Sequence, residues 1–152
     1  MLQLERWATF YPECIALFDA HNTEVGESPT DMPFDPDIDS IAALDAADQL
    51  QIVTARKDGK LVGYCMFTIG NSLQSKGVLC GTQAAYYLKK ENRPSGLGIK
   101  LYLESLTHLK ARGVKNVYPH HWLRGDSPKL KTFFERIGAV ELEHVYSLWI
   151  GN

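Results

Sequence analysis

The sequence predicts an α/β fold in which helices cover a central mixed sheet. Three observations carry this expectation. Two strand-like runs, 50–56 and 60–69, meet at Asp58-Gly59, a dipeptide suited to a type I′ hairpin turn because both central residues need positive φ. Two apolar stripes have helical spacing, and each stops at a glycine, Gly113 or Gly138. Between and around them the pattern alternates as β-α-α-β-β-β-α-β-α-β, the signature of a layered α/β domain.

The chain opens with apolar-polar alternation from Leu2 to Trp7, read as an edge strand. A helix follows, with Pro12 near its first turn and Ile15, Leu17 and Phe18 supplying apolar surface. The stretch from Val25 to Phe34 contains Gly26, Pro29 and Pro33 and reads as a loop. Asp35-Pro36 then supplies an N-cap and first helical residue, with Ile38, Ile41, Ala42 and Leu44 as the stripe. After the hairpin come a turn region, 70–77, and a strand from Val78 to Lys90. Gly96 to Arg112 is a helix whose Ile99, Tyr102, Leu103, Leu106 and Leu109 share a face. Val114 to His121 is a strand. Ser127-Pro128 starts a helix carrying Leu130, Phe133, Phe134 and Ile137, and Val140 to Ile150 closes the sheet as a long strand.

At 152 residues the chain fits one domain, 1–152, with apolar residues enough for one core. No stretch approaches the roughly 20 apolar residues of a membrane span, and the N-terminus lacks a signal-peptide layout, so a soluble, cytoplasmic protein without membrane partners is expected. Cys14, Cys65 and Cys80 are too widely spaced for a disulfide framework or a zinc site, and no metal is expected. The net charge is only −2, yet from Trp7 to Ala55 there is no Lys or Arg, while ten acids recur. That distribution argues against nucleic acid as a partner. The acids are either a solvated face or a lure for a cationic ligand.

The segment with chemical content is Arg93-Pro94-Ser95-Gly96-Leu97-Gly98, between a strand and a well-patterned helix. A helix N-terminus gathers free amides and about half a positive charge, so it can hold an anion, and two glycines let a diphosphate approach. The competing reading is a plain strand-to-helix turn, with Ser95 as cap and the glycines there for close packing. Spacing alone does not separate the two.

The pattern Arg-x-x-Gly-x-Gly in this position resembles the pyrophosphate loop of the GNAT acetyltransferases. The hairpin 58–64, the helix end and strand around Lys110-Ala111-Arg112-Gly113-Val114, and the helix end Phe133-Phe134-Glu135-Arg136-Ile137-Gly138 are similar to the same family. A narrower similarity, to GNAT-like proteins encoded by bacteriophages, rests on 32–37, 53–56 and 143–147. The family resemblance implies a mostly antiparallel sheet with helices on both faces and acetyl-CoA as co-substrate. It implies main-chain contacts from Tyr86, Tyr87 and Leu88 to the pantetheine arm, with the Leu88 amide polarising the thioester carbonyl. It also implies diphosphate binding by the amides of Arg93, Pro94, Ser95, Gly96, Leu97 and Gly98, although Pro94 has no N–H to give. The implied reaction is acetyl transfer to a primary amine (a small amine, a polyamine or a protein lysine) by direct attack in a ternary complex. The phage-like matches carry the alternative of a non-catalytic interaction or virion-associated protein.

Acid–base residues are less legible. No acid lies between Val78 and Lys90, where the family often has a Glu. His120 and His121 end the following strand, and only one of them can face the site. His120, a histidine in the phage-like pattern too, is the expected base; the alternative is a hydrogen-bonded strand-end residue. Phe134 stands where many family members carry a Tyr that protonates the thiolate, so Tyr146 is the expected acid, against a plain packing role beside Trp149. The long final strand could also pair with a second copy in a homodimer.

Overall fold

The computed structural model describes residues 1–25, 33–121 and 127–150. Within them five strands form one sheet in the order β1-β2-β3-β4-β5: β1 Leu2–Glu5, β2 Leu50–Lys57, β3 Lys60–Asn71, β4 Leu79–Leu88 and β5 Asn116–Tyr118. The first four are antiparallel neighbours, and β5 joins β4 in parallel. Among the described residues four α-helices complete the fold: α1 Trp7–Val25, α2 Ile38–Ala46, α3 Leu97–Ala111 and α4 Ser127–Arg136. Among the described residues no helix is long and apolar enough to cross a membrane.

The hairpin forms as its turn residues dictate, with Asp58 at φ 50° and Gly59 at φ 76°. Both faces of the sheet are covered, so neighbouring residues of the inner strands are buried on opposite sides. Ile52, Tyr64, Met66 and Tyr87 pack under α1, which contributes Trp7, Phe10, Cys14, Leu17 and Phe18. Val53, Cys65, Phe67 and Leu88 pack on the other face against Leu101, Tyr102 and Leu109 of α3 and Phe134 of α4. All three cysteines are buried free thiols, and burial pushes Cys14 and Cys65 up to about 12.

Several expectations are corrected. The long closing strand does not form: residues 139–150 carry no strand, and Tyr146 is 88% exposed. Alternation favours an extended chain, but β-structure also needs a neighbouring strand to take its hydrogen bonds, and alternation cannot supply one. The helix cap before α2 is Asp37, whose carboxylate accepts from the Ser40 amide at 3.0 Å, so Asp35-Pro36 lies outside the helix. Pro12 sits in the sixth position of α1, past the first turn, and Ile15 faces solvent. The strand expected to run to Lys90 ends at Leu88, because Lys90–Ser95 winds into a 3-10 turn. The strand expected over 114–121 is only three residues long.

The acids of the first third are mostly engaged. Glu13 pairs with Arg56 at 2.7 Å, Asp45 with Arg6 at 3.1 Å and Asp48 with Arg112 at 3.1 Å. Asp45 also accepts from the Trp7 amide at the start of α1 (3.2 Å), and Glu24 pairs with Arg93. Asp19, Asp35 and Asp39 remain exposed. Glu27 and Asp31 lie outside the described residues, as does part of the expected loop before α2.

Candidate functional site

The sheet opens between β4 and β5. Their pairing covers Cys80–Asn116, Gly81–Val117 and Thr82–Tyr118, and β5 ends there while β4 runs on to Leu88. Just past the last pair the β3–β4 register shifts: Met66 faces Ala85 and Phe67 faces Gln83, leaving Ala84 as a bulge. A bulge bends its strand and increases its twist, which turns the end of β4 away from β5. Gln83 stands at the apex of the opening. Its Nε2 donates to the His120 carbonyl (2.7 Å), and its Oε1 accepts from the His120 amide (3.3 Å) and the Tyr102 hydroxyl (3.1 Å). One buried carboxamide therefore continues the ladder by a single step and ties it to α3.

Beyond Gln83, β4 has β3 on one side and no strand on the other among the described residues. The Lys89 amide donates to the Val62 carbonyl at 2.9 Å. Antiparallel alternation then directs the main-chain groups of Tyr87 to β3 and those of Tyr86 and Leu88 into the opening. The Leu88 carbonyl accepts from Arg93 Nε at 2.8 Å, while the Leu88 amide faces the gap.

The opening leads to the start of α3. Gly96 has φ 71°, a left-handed conformation that suits glycine, and reverses the chain between the 3-10 turn and the helix. Gly98 has a different reason to be glycine: a Cβ there would lie 2.8 Å from the Tyr86 hydroxyl. Of the six expected amide positions, Pro94 has none, the Gly96 amide bonds the Arg93 carbonyl (3.3 Å) and the Leu97 amide bonds Ser95 Oγ (3.3 Å). Arg93 and Ser95 lie inside the 3-10 turn, whose amides point back along the chain. The first i→i−4 bond of α3 is Lys100 to Gly96 (3.2 Å), so the amides of Gly98 and Ile99 precede the helix ladder.

Sequence reasoning missed the partners of this corner. Arg93 makes a two-pronged ion pair with Glu24 of α1, at 2.6 and 3.0 Å, and lies over the Tyr87 ring at 5.7 Å from its centroid. The other neighbour of Tyr87 is the His21 imidazole, stacked at 4.9 Å with its Nδ1 2.8 Å from the Tyr64 hydroxyl. Burial, with a further push from Arg93, lowers His21 to about 4, against an opposing pull from Glu24. Only the i, i+3 spacing of His21 and Glu24 was available in the sequence, and nothing in it names a residue 69 positions away.

The expected catalytic pair is not brought together. The main chain of His120 is fixed at the apex of the opening and its side chain is exposed. Tyr146 lies on the unpaired C-terminal segment and points into solvent. Phe134 is buried against Tyr102 and Phe133, at 5.1 and 5.6 Å between ring centroids. Among the described residues no group of three or more His, Cys, Asp or Glu side chains could hold a metal ion.

Residues 6–138 match the model of the acetyltransferase (GNAT) family. The chain belongs to the GNAT acetyltransferases. No curated protein sequence matches it. Solved GNAT structures share its fold at low identity. A ribosomal-protein-alanine N-acetyltransferase from Brucella melitensis biovar Abortus 2308 superposes with TM-score 0.70 at 17% identity, over 99% of each chain. Glucosamine-6-phosphate N-acetyltransferase from Arabidopsis thaliana gives 0.71 at 15% identity, again over 99% of each. A predicted acetyltransferase with acetyl-CoA from Clostridium acetobutylicum gives 0.73 at 9% identity, over 99% of this chain and 97% of that one. GNAT members use acetyl-CoA, and the named neighbours include enzymes for protein and sugar amines.

Proposed function

We propose that this GNAT protein transfers the acetyl group of acetyl-CoA to a primary amine, with the pantetheine arm along the open side of β4. The observation that carries the reading is the paired loss of β5 and exposure of the Tyr86 and Leu88 main chain toward a gap that ends at a helix N-terminus. An unsatisfied strand edge accepts an extended amide-bearing ligand as it would another strand, and pantetheine has two amides. The diphosphate then sits on the first turn of α3, with Gly98 and Ile99 as donors and the helix dipole in support. Tyr87 contributes its ring to the wall of the corner.

Acetyl-CoA supplies a thioester whose carbonyl carbon the amine nitrogen attacks as the C–S bond breaks. The Leu88 amide is the donor for the carbonyl oxygen, where negative charge gathers; such a donor can be worth about 3 kcal/mol. An alkylamine with a pKa near 10.4 is uncharged in only about one molecule in two thousand at pH 7, so a base must take the ammonium proton. His120 fills that role: Gln83 anchors its main chain while its imidazole stays open to solvent. The thiolate takes its proton from water or from Tyr146, whose side chain is exposed on the C-terminal segment. Asp35 and Asp39, exposed before and within the first turn of α2, favour a cationic acceptor.

The test is acetyl-CoA turnover against a panel of small amines, polyamines and lysine peptides. His120→Ala is expected to lower kcat/KM about a hundredfold. Full activity in that variant would remove His120 from the mechanism. Tight acetyl-CoA binding without turnover of any amine would favour a binding protein, the reading that the buried Phe134 supports.

A further inference from the structure

Resting on the reading above, in which the diphosphate of coenzyme A sits on the first turn of α3, we propose that the Tyr86 hydroxyl is a further donor to that diphosphate. Tyr86 then serves the cofactor twice, with its main chain along the pantetheine arm and with its side chain at the phosphates. The side chain comes from β4, outside the Arg93–Gly98 segment that marks the loop in the sequence.

The geometry starts from strand alternation, which sends the side chains of Tyr86 and Leu88 to the face covered by α3 and that of Tyr87 to the other. The Tyr86 ring meets the Tyr102 ring edge to face, with 5.3 Å between centroids and 74° between planes. Tyr102 and Gly98 are four residues apart in α3, so they share one side of the helix a turn from each other. The phenol spans that turn toward the helix start. Its oxygen ends 2.8 Å from the point that a Cβ on Gly98 would occupy. With glycine at 98, no methyl group holds the hydroxyl away from the turn whose Gly98 and Ile99 amides precede the helix ladder.

The chemistry of the hydroxyl points the same way. Tyr64 and Tyr102, both fully buried, each place their hydroxyl on a neighbour: His21 Nδ1 at 2.8 Å and Gln83 Oε1 at 3.1 Å. Tyr86 is partly buried in the same core, yet among the described residues nothing accepts a hydrogen bond from it. A polar group drawn out of water without a partner costs free energy, and a phosphate oxygen at the start of α3 would supply the acceptor. Burial raises the Tyr86 pKa well above that of a free phenol, and the opposing pull of Arg93 does not reverse the shift. The oxygen therefore keeps its proton and donates it, and an O–H donor on an anionic oxygen makes a short, charge-assisted bond.

The experiment is calorimetric titration of the full chain with coenzyme A, parent against Tyr86→Phe, together with phosphorus NMR of the bound ligand. The variant keeps the ring on Tyr102 and loses only the oxygen. Its affinity for coenzyme A is expected to fall about tenfold while its melting temperature stays at the parent's. The diphosphate resonances should move from their parent positions, and the resonance of the phosphate on the ribose should not. Three results overturn the proposal alone: an affinity within about twofold of the parent's, a weaker affinity that only follows a fall in melting temperature, or weaker binding with unmoved diphosphate resonances, which assigns the hydroxyl to the pantetheine arm. A parent that does not bind coenzyme A overturns the underlying reading, and the role of Tyr86 with it.

Discussion

His21 holds an uncharged imidazole between Tyr87 and the Tyr64 hydroxyl, and its titration gives the folded chain a pH signature. Its pKa in the folded chain is about 4, against about 6.5 when exposed. Below pH 6.5 the unfolded chain takes up a proton that the folded chain refuses. The contribution is therefore complete above pH 6.5 and is lost as the pH falls toward 4, a loss on the order of 3 kcal/mol. Urea unfolding from pH 7 to 4 should show that decline, and His21→Gln should flatten it. An unchanged slope in the variant would assign the acid sensitivity elsewhere. Glu5 adds an effect of similar size at lower pH. Burial alone would raise it, but hydrogen bonds from Arg56, Thr54 and Gln3 outweigh burial and hold it at about 2. Residues such as His21, Glu24 and Gln83 were illegible in the sequence because their roles come from partners 37 to 69 positions away.

At the scale of elements, the junction of β4 and α3 decides what the glycines mean. The sequence left two readings open, phosphate access or close packing, and each glycine has a local reason of its own. Gly96 reverses the chain at positive φ, and Gly98 makes room for the Tyr86 hydroxyl. A methyl at Gly98 must displace that ring, an overpacking cost of about 1–3 kcal/mol. Gly98→Ala should lower the melting temperature, and Tyr86→Phe in the same chain should restore most of the loss. Failure of the rescue would mean that the phenol does not set the limit. Elements defined by local chemistry were readable: the Asp58-Gly59 turn, the α3 stripe and its glycine stop. The tail was misread because its alternation is genuine while no described strand takes its hydrogen bonds. Gln83 in its bridging role was invisible, since a glutamine inside a strand carries no sequence signal of a bulge.

Across the whole molecule, the opening in the sheet lies between two separately packed faces. α1 and α2 cover one face and α3 and α4 the other, and Gln83 with Tyr102 marks where β4 parts from β5. The Arg93–Glu24 pair joins the faces at the opposite end of the opening. The gap is thus held at both ends by polar contacts, a pre-formed edge for an extended ligand. Amide hydrogen exchange of Tyr86, Tyr87 and Leu88, with and without acetyl-CoA, tests this account most directly. At about 1 mM acetyl-CoA, above the KM of most enzymes, the amides of Tyr86 and Leu88 should slow at least tenfold, while that of Tyr87, already bonded to β3, should not change. Equal exchange at all three positions with and without acetyl-CoA would contradict a cofactor lying along β4.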